Sequence, residues 1–336
     1  MSTLRQDVTT STWVILAPTR AARPHRPPAR ARPAVPSRDP ACPFCPGNED
    51  QTPPEIARTG AGGEGWQQRV FPNLYAALAA PGSTERREEN GFREMHGVGS
   101  HEVVVESRGH DSRLDQQPAV EIASVIGLWR ERYLRLMREP WAKAVVVFKN
   151  FGETAGTSLV HPHSQIVATP VFPPDSLRRF AVATRYYDDT GNCVYDDLRD
   201  AELASGERIV ARRDGFVALT PFAGSVPFET WIMPTEHSAS FGRLDDAAIP
   251  DLAAMLGDVL AALRLAAGDP DFNLVVRSAP VHEEEKPYFL WHLQVLPRIA
   301  TAAGFELGSG MSINTVAPED SALALREALA ERAAAG

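Results

Sequence analysis

The sequence predicts an α+β fold built as two tandem halves of one design, and three observations carry that expectation. The chain repeats itself internally, each copy runs strand–strand–helix–strand–strand, and the composition suits a packed core. In the first copy "QRVFPNLYAAL" supplies the opening strand. "HEVVVESRGHD" (101–111) supplies the next, read as ending in His110. "AVEIASVIGLWRERYLRLM" follows with apolar residues at helical spacing, then the apolar strand "AKAVVVFKN", a loop, and "HPHSQIVATP". The second copy answers segment by segment. "DGFVALTPFAG" matches the first strand and "FETWIMPTEHS" (228–238), ending in His237, the second. "AAIPDLAAMLGDVLAALRLA", "PDFNLVVRS" and "LWHLQVLPR" complete the set. His163-x-Gln165 returns as His292-x-Gln294, whereas His161 is answered by Leu290. The first copy therefore carries the richer site. The second resembles a partly retired duplicate, with His292 expected to be an interior or pocket-lining histidine.

The totals narrow the function. Hydrophobic residues make up 43% and charged residues 23% of the 336, enough to bury a core without a run of about eighteen apolar residues that would span a membrane. The first residues show no basic start followed by an apolar region, so a cytoplasmic protein is expected. A net charge of -9 argues against nucleic acid as partner. The cationic stretch "TRAARPHRPPARARP" stands out against that charge, either as anion-binding arginines or as a solvated proline-rich arm.

Three cysteines cannot build a disulfide framework. Cys42 and Cys45 form "CPFC" in a proline-rich turn, which suits a metal knuckle better than a redox pair. Cys193 reads as a small core residue. Residues two apart on a strand share a face, so His161, His163 and Gln165 project together. Pro162 between the histidines marks an edge or a strand end. Two surface histidines beside a turn is the bland alternative, and the apolar residues on either side speak against it. Cys42, Cys45, His110 and His161 make an N2S2 set suited to tetrahedral zinc. His163 is then left free. A neutral imidazole can attack phosphorus without a separate base, and Gln165 can hydrogen-bond the phosphoryl oxygens as charge builds there.

"CPFCPGNED", "FPNLYAAL", "VVVFKNFGETAGTSLVHPHSQ" and "AGFELGSGMSINTVAPED" together resemble the galactose-1-phosphate uridylyltransferase family of the histidine-triad superfamily, over nearly the whole chain. The resemblance implies two histidine-triad-like halves, mainly antiparallel sheets with packed helices. Residues 1–185 would hold the zinc site and nucleophile, and residues 186–336 the acceptor, or sugar, side. It implies a cytoplasmic homodimeric enzyme of galactose metabolism acting on a nucleotide sugar and a sugar 1-phosphate, without nucleic acid or membrane. UDP-glucose gives UMP to His163 and galactose 1-phosphate then takes it, in ping-pong order. Residue by residue, His163 matches the nucleophile and Gln165 the phosphate-binding glutamine. Cys42, Cys45, His110 and His161 match the ligands of one structural zinc per chain. Arg20 and Arg23 match arginines near the substrate phosphates, Phe71 and Asn73 the nucleoside pocket, and Asn150, Gly156 and Ser158 substrate-contacting positions.

The departures are specific. Arg179 falls near the place of a glutamate that holds a second metal in some members, and Leu290 replaces a paired histidine, although His282 remains; no second metal is expected. Ser164 stands where the better-known branch has glycine. Ser309 and Gly310 stand where that branch binds hexose through a Tyr-Glu pair. "ELGSGMSIN" instead resembles a branch that includes nucleoside-diphosphate-sugar phosphorylases, in which inorganic phosphate is the acceptor. Discrimination between acceptors is expected around Glu306 to Asn314, where glycines would let backbone approach a ligand.

Overall fold

The computed structural model describes residues 1–22, 32–60, 65–79 and 82–335. The chain opens with a hairpin, β1 (Thr3–Asp7) and β2 (Thr12–Leu16), and then builds its first half. That half comprises β3 (Ala57–Gly60), β4 (Trp66–Pro72), a surface hairpin of β5 (Arg87–Glu89) and β6 (Phe92–Glu94), and β7 (Ser100–Val105). Helix α1 (Ala119–Met137), β8 (Ala144–Phe151) and β9 (His163–Thr169) complete it. Two helices unforeseen in the sequence, α2 (Pro174–Thr190) and α3 (Val194–Ser205), lead to the second half. There β10 (Ile209–Arg213), β11 (Phe216–Leu219), β12 (Thr230–Pro234), α4 (Ile249–Ala267), β13 (Phe272–Arg277) and β14 (His292–Pro297) repeat the plan. The chain closes with α5 (Gly304–Ser309), β15 (Ser312–Asn314) and α6 (Pro318–Ala335).

Ten strands form one sheet in the order β10-β11-β12-β14-β13-β8-β9-β7-β4-β3. Read from either end to the middle, the two halves show the same succession of strands. Every pairing in it is antiparallel. The halves meet where β8 pairs with β13, Phe151 opposite Phe272 and Asn150 opposite Asn273. The two Phe rings stack at 5.0 Å, and Asn273 Nδ2 donates to Asn150 Oδ1 at 2.8 Å.

One face of the sheet carries the core. Alternation places Val104, Ile166, Val147, Leu293 and Val295 on that face, under α1 and α4, which pack on one another. On α1, Ile122, Ile126, Trp129, Tyr133 and Leu136 recur at helical spacing and form the buried stripe. Ser164 points into this layer, where its hydroxyl accepts the Trp129 indole N–H at 2.6 Å. An indole donor needs such a partner when buried, which accounts for serine rather than glycine there. The opposite face of the sheet is left for chemistry.

Two details differ from the sequence reading. The strands expected to end in His110 and His237 stop earlier, at Val105 and Pro234, so both histidines sit in the loops that follow. The glycine-containing segment after residue 303 is not an open loop. It forms α5 and β15, and β15 adds in parallel to β2, closing a separate three-stranded sheet. Among the described residues no helix is long and apolar enough to cross a membrane.

Candidate functional site

Cys42, Cys45, His110 and His161 are all buried and converge in the first half, their donor atoms within 4.8 Å of one another. Cys45 Sγ lies 3.5 Å from His110 Nδ1 and 3.6 Å from His161 Nδ1. Tetrahedral zinc bond lengths place neighbouring S and N ligands about 3.5 Å apart. His161 Nε2 donates to the Ser107 carbonyl at 2.8 Å, so its lone pair is on Nδ1, facing the cysteines. Burial holds the His161 ring neutral, its pKa lowered to about 4, and pushes the Cys42 thiol up. A buried thiol of this kind needs a cation to ionise. The donor set, its spacing and its tautomer all fit a metal ion.

β9 begins at His163, directly after Pro162, so His161 lies in the bend before the strand. His161 Nδ1 faces the cysteines, and the Phe44 ring stands edge-on to both histidines, at 6.1 Å from His161 and 5.4 Å from His163. His163 is only 7% exposed. Its Nδ1 donates to the His161 carbonyl at 2.8 Å, which leaves the lone pair on Nε2. Burial lowers its pKa, with the Lys149 charge acting in the same direction. On the other face of the sheet Lys149 pairs with Glu106 at 2.6 Å and donates to the His163 carbonyl at 3.2 Å. A neutral imidazole with a fixed tautomer results.

Gln165 points to the same face as His163, with its Oε1 2.7 Å from His101 Nε2 and 3.5 Å from Asn73 Nδ2. Asn73 follows β4 and is half-buried. Phe148 pairs with Gln165, so Asn150 projects to this face two residues along β8. Gly156 and Ser158 are exposed on the loop leading into the motif, and Gly156 has φ +89°, the left-handed region that favours glycine. Phe71 is 1% exposed and packs on Phe44 at 5.5 Å, a wall beneath the site. Arg20 lies apart, exposed on the turn Pro18–Ala22 after β2, on the three-stranded sheet with β15. Arg23 lies outside the described residues. His101 was missed in the sequence because nothing in its spacing sets it apart from a strand residue.

The second half shows what the duplicate became. His292 donates through Nδ1 to the Leu290 carbonyl at 3.1 Å, as His163 does to His161, but it is fully buried. Trp231 stacks on it at 4.6 Å, and its Nε2 has no hydrogen-bond partner among the described residues. Burial, with the Arg179 charge, lowers its pKa to about 3. Arg179 and Arg277 both pair with Asp175 beside it, at 3.0 and 2.8 Å. A cavity of about 500 Å³ lies on this side, between the β1–β2 hairpin, α2 and α3; its lining includes Gln294 but not His163 or Gln165.

Cys193, Asp196 and His237 gather here as the counterpart of the first cluster, with Asp196 in the place of Cys45. His237 Nδ1 meets Asp196 Oδ2 at 2.5 Å. This bond and Cys193 raise the His237 pKa to about 10. Burial raises the Asp196 carboxyl, but the His237 bond and charge outweigh it and the net direction is down. The raised imidazole stabilises the fold fully below its unfolded pKa of about 6.5, and that contribution is lost as pH rises through about 10. The carboxylate's share is present above about pH 4 and lost on further acidification. His237→Gln should therefore lower the melting temperature by a few degrees at pH 6 and by less at pH 9.5. Equal shifts at both values, measured by thermal unfolding, would refute the pair's role.

Residues 1–173 match the family model "Galactose-1-phosphate uridyl transferase, N-terminal domain". ADP-glucose phosphorylase of Arabidopsis thaliana is 36% identical over 329 residues, 96% of this chain and 92% of that protein. The galactose-1-phosphate uridylyltransferase of Thermotoga maritima is 27% identical over 97% of this chain and 98% of its own. The crystal structure of the Arabidopsis ADP-glucose phosphorylase with bound ADP-glucose superposes with a TM-score of 0.83 at 33% identity, over 97% of this chain and 98% of that one. With its repeated sheet, its Cys2His2 cluster and these likenesses along its whole length, the chain belongs to the galactose-1-phosphate uridylyltransferase family of nucleotidyltransferases.

Proposed function

We propose that this chain moves a nucleoside monophosphate from a nucleoside-diphosphate hexose to a second acceptor through a covalent nucleotidyl-His163. The observation that carries this is the His163 ring, with Nδ1–H committed to the His161 carbonyl and the Nε2 lone pair left free. Nε2 attacks the α-phosphorus, the N–P bond forms, and the bond to the bridging oxygen breaks as hexose 1-phosphate leaves. The ring then carries a positive charge, which the His161 carbonyl stabilises through Nδ1–H. An acceptor oxygen attacks phosphorus, the N–P bond breaks, and the neutral imidazole returns. Gln165 donates to the nonbridging oxygens, and Asn150, Gly156 and Ser158 line the approach.

We assign zinc to Cys42, Cys45, His110 and His161, where it would fix the bend that holds the His161 carbonyl. Asn73 and Phe71 serve the nucleoside end. Residues 1–185 hold this machinery, and residues 186–336 serve the acceptor. The segment Glu306 to Asn314 ends in β15, which pairs with β2, and Arg20 lies on the turn that follows β2. We assign them, with Arg23, to the phosphate and sugar end of a site completed in a homodimer.

Two acceptors are in contention. The 36% relative and the Ser309-Gly310 pair favour ADP-glucose with inorganic phosphate, yielding ADP. The matching family model favours UDP-glucose with galactose 1-phosphate in cytoplasmic galactose metabolism. Of the two nucleotide sugars, labelled at the α-phosphate and supplied alone, the true donor should leave about one label per chain, followed by release on adding the correct acceptor. ADP formation with phosphate decides for the phosphorylase, and UDP-galactose for the transferase. Absence of bound label with either donor would refute the covalent route.

A further inference from the structure

Both halves keep a glutamine two residues after the histidine, yet its amide faces opposite ways. Val103 pairs with Gln165, and Trp231 pairs with Gln294. Two residues before each, on the same face, stand His101 in the first half and Glu229 in the second. These two side chains decide which end of the amide is available.

In the first half the Ala77 backbone N–H donates to His101 Nδ1 at 3.2 Å. A backbone N–H can only donate, so Nδ1 holds the lone pair and Nε2 the proton. Nε2–H must then meet an acceptor, and it meets Gln165 Oε1 at 2.7 Å. Asn73 Oδ1 accepts from the Tyr75 N–H at 2.8 Å, so its NH2 lies between His101 Nε2 at 3.2 Å and Gln165 Oε1 at 3.5 Å, and with Nε2 protonated only the oxygen can accept from it. The Gln165 oxygen is thereby occupied, and no described residue accepts from its NH2. In the second half a carboxylate can only accept. Gln294 Nε2 donates to Glu229 Oε1 at 2.8 Å, and Gln294 Oε1 accepts from Arg277 Nε at 2.8 Å. Both ends of that amide are consumed.

We infer that His101 is a positioning residue that sets the polarity of the catalytic amide, holding Gln165 by its oxygen so that both N–H groups face the phosphoryl group in flight. The inference rests on the nucleotidyl transfer proposed above. His101 is held by the backbone of the segment after Asn73, so the nucleoside-side loop and the phosphoryl donor are tied by one chain of hydrogen bonds: Ala77 N–H to His101, then His101 to Gln165. Disturbing either link turns the amide's acceptor toward an anionic group, which it repels.

The test is a double-mutant cycle on the rate of His163 nucleotidylation, measured in a single turnover. His101→Glu should slow that step about 100-fold, the range seen when one oxyanion donor is lost, with donor KM changed less than about threefold. Gln165→Ala should slow it similarly, and H101E/Q165A should be no slower than Q165A alone, within about threefold. His101→Gln, which can still donate to Oε1, should recover to within about tenfold of the parent. Should the half-buried glutamate prevent folding, as judged by thermal unfolding and metal content, His101→Phe removes the donor and enters the same cycle. Multiplicative losses in the double variant would overturn the inference, as would an unimpaired H101E. The amide NH2 resonance of Gln165, identified by its loss in Q165A, should move downfield in H101E as it bonds the carboxylate. This readout needs no turnover; a parent that never takes up label would refute the transfer reading alone, and an unmoved resonance the positioning of Gln165.

Discussion

His163→Ala should abolish transfer, with a loss of several orders of magnitude for a residue on which one covalent step depends. Neither His161 nor His292 can take over. His161 turns its lone pair toward the cysteines, and the His292 ring is enclosed beneath Trp231. The ring that leaves is small and sits with Nε2 uncommitted, so His163→Gly creates a space that free imidazole should enter. Added imidazole should then restore release of hexose 1-phosphate from the nucleotide sugar, forming a diffusible nucleotidyl-imidazole. Steady-state rates with and without imidazole check this, and double-displacement kinetics surviving in H163A would disprove the assignment.

The second large effect concerns the metal. Elemental analysis should find about one zinc per chain, and Cys42→Ser should lower stability and activity together. The ligands come from three stretches far apart in sequence, so the ion closes long loops and constrains the unfolded chain. Losing one ligand from a buried set leaves the others poorly matched to a dication. A cost of about 3 kcal/mol corresponds to a drop of about 4 °C in melting temperature for a chain this size. Activity should fall further than stability alone explains, because the His161 carbonyl orients the nucleophile. A metal-free preparation with full activity would refute the structural zinc.

Much of this arrangement was legible in the sequence, because it rests on periodicity and on spacing. The repeat and the apolar faces of α1 and α4 follow from local pattern, and Cys42, Cys45, His110 and His161 were legible as a ligand set by residue type and by family resemblance. What escaped depends on partners distant in sequence. The rings of His161 and His163 both pack against Phe44, more than a hundred residues upstream. His101 gains its role from a backbone N–H and from a strand neighbour, neither of which leaves a motif. Cys193 was legible only as a core residue. Its meeting with Asp196 and His237 needs α3 and the loop after β12 to come together.

The pairing of β8 with β13 has a consequence for how such a chain comes apart. Cut between the halves, the protein would present β8, an apolar strand, as an open edge with its backbone donors and acceptors unmet. Such an edge seeks any strand of matching pattern, and the best match is another β8. The isolated first half would therefore tend to close on its own twin, making a symmetric pair with two live nucleophiles on one sheet. Supplied instead as two separate pieces, the halves should find each other and restore the continuous sheet, as in split-protein complementation. The intact chain is in this sense two copies of one unit joined edge to edge along β8 and β13, with a free nucleophilic imidazole in one copy alone.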